Sequence, residues 1–323
     1  MSKTPSEKRI IWAQRTAEAL GISVDAAQKL LRTERMQSIR INPLQGDPAA
    51  SEAELGHFAK SQHEPYDWMP QGYAVPPESL SAIRDSQLVT DGRVFIQNAA
   101  SWLPVLALDA QPGESVLDVC AAPGGKASHI AANTNNQALL TVNDNSRPRL
   151  AKMRANFERL GVQPVTMTLF DATQLARKLD GQLFDKILLD APCSGEGMMR
   201  YDRDKDFVMW SVAQIKRLQQ LQKRLITQAW QLVKPGGTLV YSTCTMAPEE
   251  NEAVIDYLLR TRPDALVVPF TIDLPNRIDT VREWNGKQFS LKVQGAVRLQ
   301  PSPHIEAFFV CKITKLDSGS SPE

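Results

Sequence analysis

The sequence predicts an α/β fold, a doubly wound and mostly parallel sheet preceded by a small α+β N-terminal region. From about residue 112, short apolar strands alternate with helical segments, which is the rhythm of βαβ units. Before residue 90, helices and one short strand occur without that alternation. Residues capable of chemistry follow several strands, and ligands of open α/β sheets bind at the carboxyl ends of strands.

The N-terminal region combines helical spacing with one short alternating stretch. Helices are predicted over 5–20, from 24 to about 35, and over 51–60, with a strand over 38–42. The Pro-, Trp- and Tyr-rich stretch 63–77 is interpreted as an ordered linker. We expect an N-terminal region of residues 1–90, a second domain of residues 91–316 and a disordered polar tail of residues 317–323.

The second domain supplies the strands and helices of the sheet in turn. Strands are predicted at 116–120, 139–144, 165–170, 187–190 and 238–242, with a last strand at 306–313. Helices are predicted at 147–160, 212–233 and 249–260. Because each helix separates two strands, the strands are expected to run parallel with helices on both faces.

Composition restricts the function classes. The 323 residues are 42% hydrophobic and carry a net charge of +1, so nucleic acid contacts would need local basic patches. Neither a signal peptide nor a membrane span of about 20 apolar residues is recognisable, and we expect a cytoplasmic protein with no membrane partner. The cysteines are far apart without Cys-x-x-Cys spacing, so we expect reduced thiols and no metal.

A glycine-rich turn and two strand-end acids indicate a nucleoside site. Residues 120–126 join a strand to a helix, Asp144 ends the second strand, and Asp171 ends the third. Asp144 can accept hydroxyls of a ribose, and Asp171 an adenine amino group, although Asp171 can equally cap a helix. Without Gly-x-Gly-x-x-Gly, NAD and FAD are disfavoured, and S-adenosylmethionine fits better.

Two cysteines at adjacent strand ends point to covalent chemistry on a base. Cys193 and Cys244 each follow an apolar run, and Asp190 precedes the first of them. A thiolate that adds to carbon 6 of cytosine makes carbon 5 nucleophilic, and a carboxyl group and a base assist. Lys126 can raise the thiolate fraction. The alternative is that a cysteine is a small buried hydrophobe, which suits Cys311.

Three motifs together resemble the Nop/Sun family of RNA cytosine-5 methyltransferases, in particular bacterial ribosomal RNA members of the RsmB/RsmF type. They are Asp118-Val-Cys-Ala-Ala-Pro-Gly-Gly-Lys126, Asp190-Ala-Pro-Cys-Ser-Gly-Glu-Gly197 and Ser242-Thr-Cys-Thr-Met-Ala-Pro-Glu-Glu-Asn-Glu252. The likeness extends from Ser38-Ile-Arg-Ile-Asn-Pro to Phe308-Phe-Val. It implies a class I, Rossmann-like methyltransferase domain with a methyl donor site and a covalent mechanism.

The resemblance also assigns roles by position. Cys244 would be the nucleophile, Cys193 would assist product release, and Asp190 would contact both the cofactor and the cytosine. Asp144 would hold the ribose and Asp171 the adenine side. The turn that would cradle S-adenosylmethionine consists of Cys120, Ala121, Ala122, Pro123, Gly124, Gly125 and Lys126. Asn98 stands where the family often has an acidic residue, and it is given no role.

RNA is the expected partner. Its contacts are expected in the N-terminal region and in the segment after Cys193. Arg200, Tyr201 and Arg203 border the predicted pocket, where a tyrosine or arginine can stack on a base. The alternative to an RNA contact, for Arg200 and for Arg203, is an ordinary solvated charge on the surface. We expect a monomer acting on ribosomal RNA in preference to transfer RNA.

The alternatives are the same chemistry on transfer RNA or DNA, or a non-catalytic RNA-binding ribosome assembly factor. The intact thiol pair disfavours the last, since a binding module needs neither thiol. The chain ends soon after its last strand, whereas many longer members carry a C-terminal RNA-binding domain. Target selection is therefore expected to rest on the N-terminal region or on partners.

Overall fold

The computed structural model describes residues 3–60 and 62–317, so the predicted tail, apart from Asp317, lies outside the described residues. The α-helices are α1 Pro5–Leu20, α2 Val24–Leu30, α3 Pro48–Phe58, α4 Leu80–Arg84, α5 Gln87–Thr90, α6 Leu103–Leu108, α7 Gly125–Asn133, α8 Arg147–Leu160, α9 Leu175–Lys178, α10 Val212–Gln231 and α11 Glu252–Thr261. The strands are β1 Gln37–Ile41, β2 Glu64–Tyr66, β3 Met69–Val75, β4 Val94–Ile96, β5 Ser115–Asp118, β6 Leu139–Asn143, β7 Val165–Thr168, β8 Phe184–Asp190, β9 Val233–Thr243, β10 Ala265–Val267, β11 Arg277–Ile278, β12 Glu283–Trp284, β13 Lys287–Gln288, β14 Val297–Leu299 and β15 Phe308–Lys315.

The N-terminal region forms an antiparallel sheet of order β2-β3-β1-β4. The interpretation of 63–77 as a linker was wrong, because β2 and β3 lie there and β3 pairs with β1 from Gln37↔Val75 to Arg40↔Gly72. Strand β4 pairs with the other edge of β1, so this sheet continues beyond residue 90, where the N-terminal region was expected to end. The domain boundary itself stays a prediction.

In the described part of the chain, the larger sheet contains nine strands, with order β11-β14-β15-β9-β8-β5-β6-β7 and β10 against β15. Strands β5 to β9 pair in parallel, whereas β10, β11, β14 and β15 are antiparallel additions. The sheet is therefore mixed, with a parallel half that carries the βαβ units. Strand order reverses between β5 and β8, the type of place where open sheets bind ligands.

Apolar residues on both faces of this sheet confirm the doubly wound architecture. Along β5, Val116 packs into a core with α6, α7 and α8, whereas Leu117 packs into a second core with α10 and α11. This follows from the strand geometry, because successive side chains point to opposite faces. Both cores leave the carboxyl ends of the strands free for polar residues.

Helix α1 packs beside the segment that follows β8. A capping box joins Thr4 and Glu7 at its start, and Gly21 ends it in the left-handed conformation at φ 65°. On its buried face, Trp12 packs edge-on against Phe207 with ring centroids 5.4 Å apart. The first helix thus contacts the segment that follows Cys193. No helix of residues 3–60 and 62–317 is long and apolar enough to cross a membrane.

Candidate active site

The glycine-rich turn is a close-packed cradle between β5 and α7. Gly124 has φ 99°, and a Cβ there would lie 2.8 Å from Cε1 of Phe157. A Cβ on Gly125 would lie 3.0 Å from both Phe95 and Gln97. A larger residue at either position would therefore collide with these neighbours beside the start of α7, where backbone N–H groups lack helical partners. This is the predicted cofactor turn of residues 120–126.

A cavity of about 320 Å³ opens against this turn, and Asp118 lies in its wall. Asp118 is 1% exposed, and within residues 3–60 and 62–317 neither carboxylate oxygen makes a hydrogen bond of good geometry. Burial, with a further contribution from Asp190, raises its pKa to about 7. Asp118 begins the first of the three motifs, and the sequence alone assigns it no role. Only the structure reveals an acid without a partner facing a cavity.

This orphan carboxylate and the glycine cradle fit the predicted cofactor. S-adenosylmethionine carries a sulfonium and, at its methionine end, an ammonium group, and a buried acid without a partner is a site for a cationic ligand group. Burial raises the pKa of the Cys120 thiol far above its ordinary value. That thiol is therefore unreactive, as expected for a residue that contributes only its backbone.

The predicted ribose acid, Asp144, lies beneath an arginine. Its carboxylate is 3.1 Å from Nη1 of Arg149 and accepts a hydrogen bond from the Ser146 N–H at 3.0 Å. Nη2 of Arg149 also donates to the Ala122 carbonyl oxygen at 2.5 Å. Because the Arg149 side chain is 55% exposed, it can move aside to admit hydroxyl groups. Sequence reasoning did not find this arginine–acid pair.

The predicted adenine acid, Asp171, caps the short 3-10 turn Ala172–Gln174. Oδ1 accepts hydrogen bonds from the Thr173 N–H at 2.9 Å and from its hydroxyl at 2.8 Å. These bonds lower the pKa of Asp171. The capping alternative is therefore observed, while Oδ2 is left for another donor and the residue is exposed. A contact with adenine stays a prediction.

Lys126 and Asp190 form an ion pair at the edge of the larger sheet where the parallel strands β5, β8 and β9 end, which we call the catalytic edge. Nζ of Lys126 donates to Oδ2 of Asp190 at 2.6 Å, and the Ser242 hydroxyl donates to Oδ1 at 2.8 Å. Burial lowers the pKa of Lys126, but Asp190 and, further, Cys244 more than offset this, so the pKa is raised. The lysine therefore stays charged beside Cys244.

The two predicted catalytic thiols lie side by side. Strands β8 and β9 are parallel neighbours with Asp190 opposite Ser242, so the residues that follow each strand meet. The Sγ atoms of Cys193 and Cys244 are 3.4 Å apart. The hydrogen bond with Cys244, together with burial, raises the pKa of Cys193 well above its ordinary value. Cys193 therefore keeps its proton at neutral pH.

A buried network fixes the backbone on both sides of Cys193. Oε2 of Glu250 accepts the Ser194 N–H at 3.0 Å and the Gln222 amide at 2.8 Å. The same Gln222 amide donates to the Pro192 carbonyl oxygen at 2.9 Å. The Ser194 hydroxyl meets that of Thr245 at 2.7 Å, which joins the two cysteine loops. Burial raises the pKa of Glu250 to about 7.

The three predicted RNA contacts differ in accessibility. Arg200 and Arg203 are partly exposed and pair with Asp202 and Asp206. Tyr201 is only 7% exposed, and the Arg32 guanidinium covers its ring at 4.4 Å. Stacking of Tyr201 on a base is therefore not supported by this structure, since its ring belongs to the core under α1. Across the described ranges, no group of three His, Cys, Asp or Glu is arranged to hold a metal ion.

Comparison with known proteins places these features in a family. The family model described as 16S rRNA methyltransferase RsmB/F matches residues 105–314. The tRNA (cytosine(49)-C(5))-methyltransferase of Pyrococcus abyssi is 37% identical over 285 residues, 86% of this chain and 88% of the relative. The ribosomal RNA small subunit methyltransferase F of Vibrio vulnificus is 37% identical over 263 residues, 80% of this chain. The match spans 53% of that relative.

Solved structures agree with the fold. The structure described as a methyltransferase homolog protein from Pyrococcus horikoshii has a TM-score of 0.79 at 31% identity, covering 98% of this chain and 100% of that one. NSun6 from the same organism has a TM-score of 0.78 at 22% identity, covering 95% and 98%. The predicted methyltransferase fold is confirmed. The chain belongs to the RsmB/F family and is an S-adenosylmethionine-dependent RNA cytosine-5 methyltransferase.

Proposed function

We propose that the enzyme methylates carbon 5 of one cytosine, in ribosomal RNA in preference to transfer RNA, through a covalent adduct between Cys244 and carbon 6. The observation that carries this proposal is the pair of thiols 3.4 Å apart beside the Lys126–Asp190 ion pair. A monomeric state and a cytoplasmic location stay predictions.

The family resemblance assigns the roles of the two thiols, with Cys244 as the nucleophile. The Sγ atoms of Cys193 and Cys244 lie within hydrogen-bond distance of each other, and either can be the donor. The charged ammonium of Lys126 interacts electrostatically with Cys244, which suits a thiolate nucleophile. The geometry therefore supports a joint role for the two thiols, and substitution of each thiol tests how the roles divide.

The covalent sequence conserves atoms and charge. The Cys244 thiolate forms a bond to carbon 6, and the electron pair displaced from the 5,6 double bond makes carbon 5 nucleophilic. S-adenosylmethionine would supply the methyl group as an electrophile, with the electron pair of the broken S–CH3 bond kept by sulfur as S-adenosylhomocysteine leaves. Asp190 would hold the ring-nitrogen edge of the cytosine, and Lys126, 2.6 Å from its carboxylate, would keep that carboxylate in place. A base then removes the carbon 5 proton, and Cys244 leaves as a thiolate with Cys193 assisting release.

The cofactor would be held by residues of the cavity wall together with two acids, Asp144 and Asp171, that lie outside that wall. The turn of residues 120–126 would cradle its methionine part, and Asp118 would accept a positively charged group. Asp144 would take the ribose hydroxyls once Arg149 moves aside, and Asp171 would take the adenine amino group. Carbon 6 can be reached only in an unstacked base, so the target cytosine is expected in a single strand or flipped out.

Two relatives of equal identity act, by their names, on different RNAs, a transfer RNA and the small-subunit ribosomal RNA. The family model, named for 16S ribosomal RNA, favours the ribosomal substrate. The transfer RNA relative is matched over most of its length and is the observation that favours the second candidate.

The test is incubation with tritiated S-adenosylmethionine and either purified 30S subunits, naked ribosomal RNA or total transfer RNA, followed by digestion to nucleosides. We expect labelled 5-methylcytidine from ribosomal RNA and none from the Cys244→Ala variant. Label in transfer RNA alone would overturn the substrate, and absence of 5-methylcytidine from all three would overturn the function. Bisulfite sequencing of RNA from cells with and without the gene would identify the nucleotide.

A further inference from the structure

Helix α10 carries positive charge and no negative charge. Its twenty residues contain Lys216, Arg217, Lys223 and Arg224 but neither Asp nor Glu. The chain as a whole is balanced, with 37 Lys and Arg against 36 Asp and Glu. An unbroken positive helix is therefore a local departure from the charge pattern of this protein.

The four cations share one face of α10, which we call the basic face. Positions 216, 217, 220, 223 and 224 recur at helical spacing, while the opposite face buries Ile215, Leu225 and Ile226. In the described residues, none of the four cations forms an ion pair with a carboxylate. Elsewhere, by contrast, Arg200, Arg203 and Arg260 are all paired.

A groove runs beside the basic face. It has a volume of about 650 Å³ and is lined by Lys223, Arg224, Tyr257 and Thr173 among others. Nζ of Lys223 lies 5.3 Å from the centre of the Tyr257 ring. Burial and the nearby Lys287 lower the pKa of Lys223, although Asp256 acts in the other direction. The groove thus places two cations beside an aromatic ring, with Asp171 near Arg224 and Asp256 near Lys223.

The basic face is close to the catalytic edge. On the buried side of α10, Gln222 donates to Pro192, the residue before Cys193. Lys223 and Arg224, which follow Gln222 in the helix, therefore lie about one helix diameter, roughly 10 Å, from the Cys193 loop. At the other side of the groove, Thr173 is hydrogen-bonded to Asp171. The groove consequently begins beside the predicted adenine end of the cofactor site.

We propose that the basic face of α10, Lys216, Arg217, Lys223 and Arg224, binds the phosphate backbone of the RNA substrate next to the target cytosine. The span from 216 to 224 is about 12 Å along the helix, which suits successive phosphates instead of one small anion. Tyr257 lines the same groove, with its ring next to Lys223. This inference rests on the proposed function, because it names a surface for the RNA of that reaction.

The test compares two variants with equal loss of charge. One replaces Lys216, Arg217, Lys223 and Arg224 with Gln. The control replaces Lys152, Arg154, Arg277 and Lys292 with Gln, all exposed cations without ion pairs on other elements of the described chain. Affinity for a fluorescein-labelled single-stranded RNA of mixed sequence is measured by anisotropy over a KCl series. Calorimetric binding of S-adenosylhomocysteine verifies that each variant keeps its fold.

We expect the α10 variant to lose about tenfold or more in RNA affinity near physiological salt, while the control stays near wild type. Its salt slope should flatten by up to about 3, since each phosphate contact to a single strand contributes about 0.7. Equal slopes in the α10 variant and the control, or no RNA binding by the wild type, would overturn the inference. Methylation assays separate this failure from that of the function, since an unchanged slope with normal 5-methylcytidine formation removes only the α10 surface.

Discussion

Asp118 makes a pH-dependent contribution to stability that a single isosteric substitution can expose. Its pKa of about 7, against an ordinary 3.8, means that the folded protein binds this proton more tightly than the unfolded chain does. The favourable contribution is therefore complete below about pH 4 and is lost as the pH rises through about 7. At 1.36 kcal/mol for each pKa unit, the total change is about 4 kcal/mol.

Most of that change falls in an accessible range of pH. Between about pH 5 and pH 8, the Asp118 contribution should fall by about 3 kcal/mol. The Asp118→Asn variant has no ionisable group there, so its free energy of unfolding should rise relative to wild type by that amount over the same interval. Urea unfolding followed by circular dichroism at several pH values gives the difference between the two proteins at each pH.

Asp202→Asn is the matched control. The Asp202 carboxylate is exposed and its hydrogen bond with Arg200 lowers its pKa, so its contribution is already constant above about pH 5. We therefore expect no trend for this control between about pH 5 and pH 8. If the Asp118→Asn curve also runs parallel to wild type, Asp118 is not a buried acid with a raised pKa, and the argument for a cationic ligand group loses its basis.

Four further predictions concern the two thiols, the residues Lys126 and Glu250 around them, and Tyr201. Cys193→Ala should accumulate a covalent RNA adduct on denaturing gels, and adduct formation should instead disappear in Cys244→Ala; the reverse pattern would exchange their roles. Lys126→Met should move the pH profile of Cys244 alkylation by iodoacetamide upward, since a cation that favours the thiolate is lost, and an unchanged profile would contradict the role of the lysine. Glu250→Ala leaves two buried donors without an acceptor and should cost about 2–6 kcal/mol in urea unfolding, with faster amide exchange at residues 192–194; wild-type exchange there would contradict the network. Tyr201→Leu should lower the melting temperature but leave RNA affinity unchanged, and a loss of affinity without destabilisation would restore Tyr201 as an RNA contact.

Most of the catalytic edge could be predicted because the residues that shape it lie close together in the sequence. The turn of residues 120–126 and helix α8, at 147–160 as expected, are encoded by glycines, caps and spacing within a few residues. The adjacency of Cys193 and Cys244 follows from the register of two parallel strands. Parallel pairing joins the ends of neighbouring strands whatever the intervening sequence is.

What the sequence did not reveal depends on contacts between distant segments. Tyr201 looked accessible because the helices that bury it lie some 170 residues earlier, as its N–H bond to the Leu31 carbonyl shows. Strand β3 was hidden because Pro70 and Gly72 interrupt its alternation, and its pairing with β1 supplies the missing stability. The lack of a hydrogen-bond partner for Asp118 could not be predicted locally either, because it requires knowing that no donor from another described element comes within hydrogen-bond distance.

The contact between α1 and the segment after Cys193 bears on how this enzyme can be dissected. Arg35 donates to the Gly197 carbonyl oxygen at 2.7 Å, and Lys8 donates to the Phe207 and Val208 carbonyl oxygens at 2.9 Å. The outer wall of the catalytic loop is thus built from the chain's first forty residues. A fragment that starts at about residue 91 would lose this wall together with any RNA contacts that the N-terminal region makes. Loss of activity in such a fragment would therefore say nothing about substrate recognition. Point substitutions in the intact protein are the informative experiment.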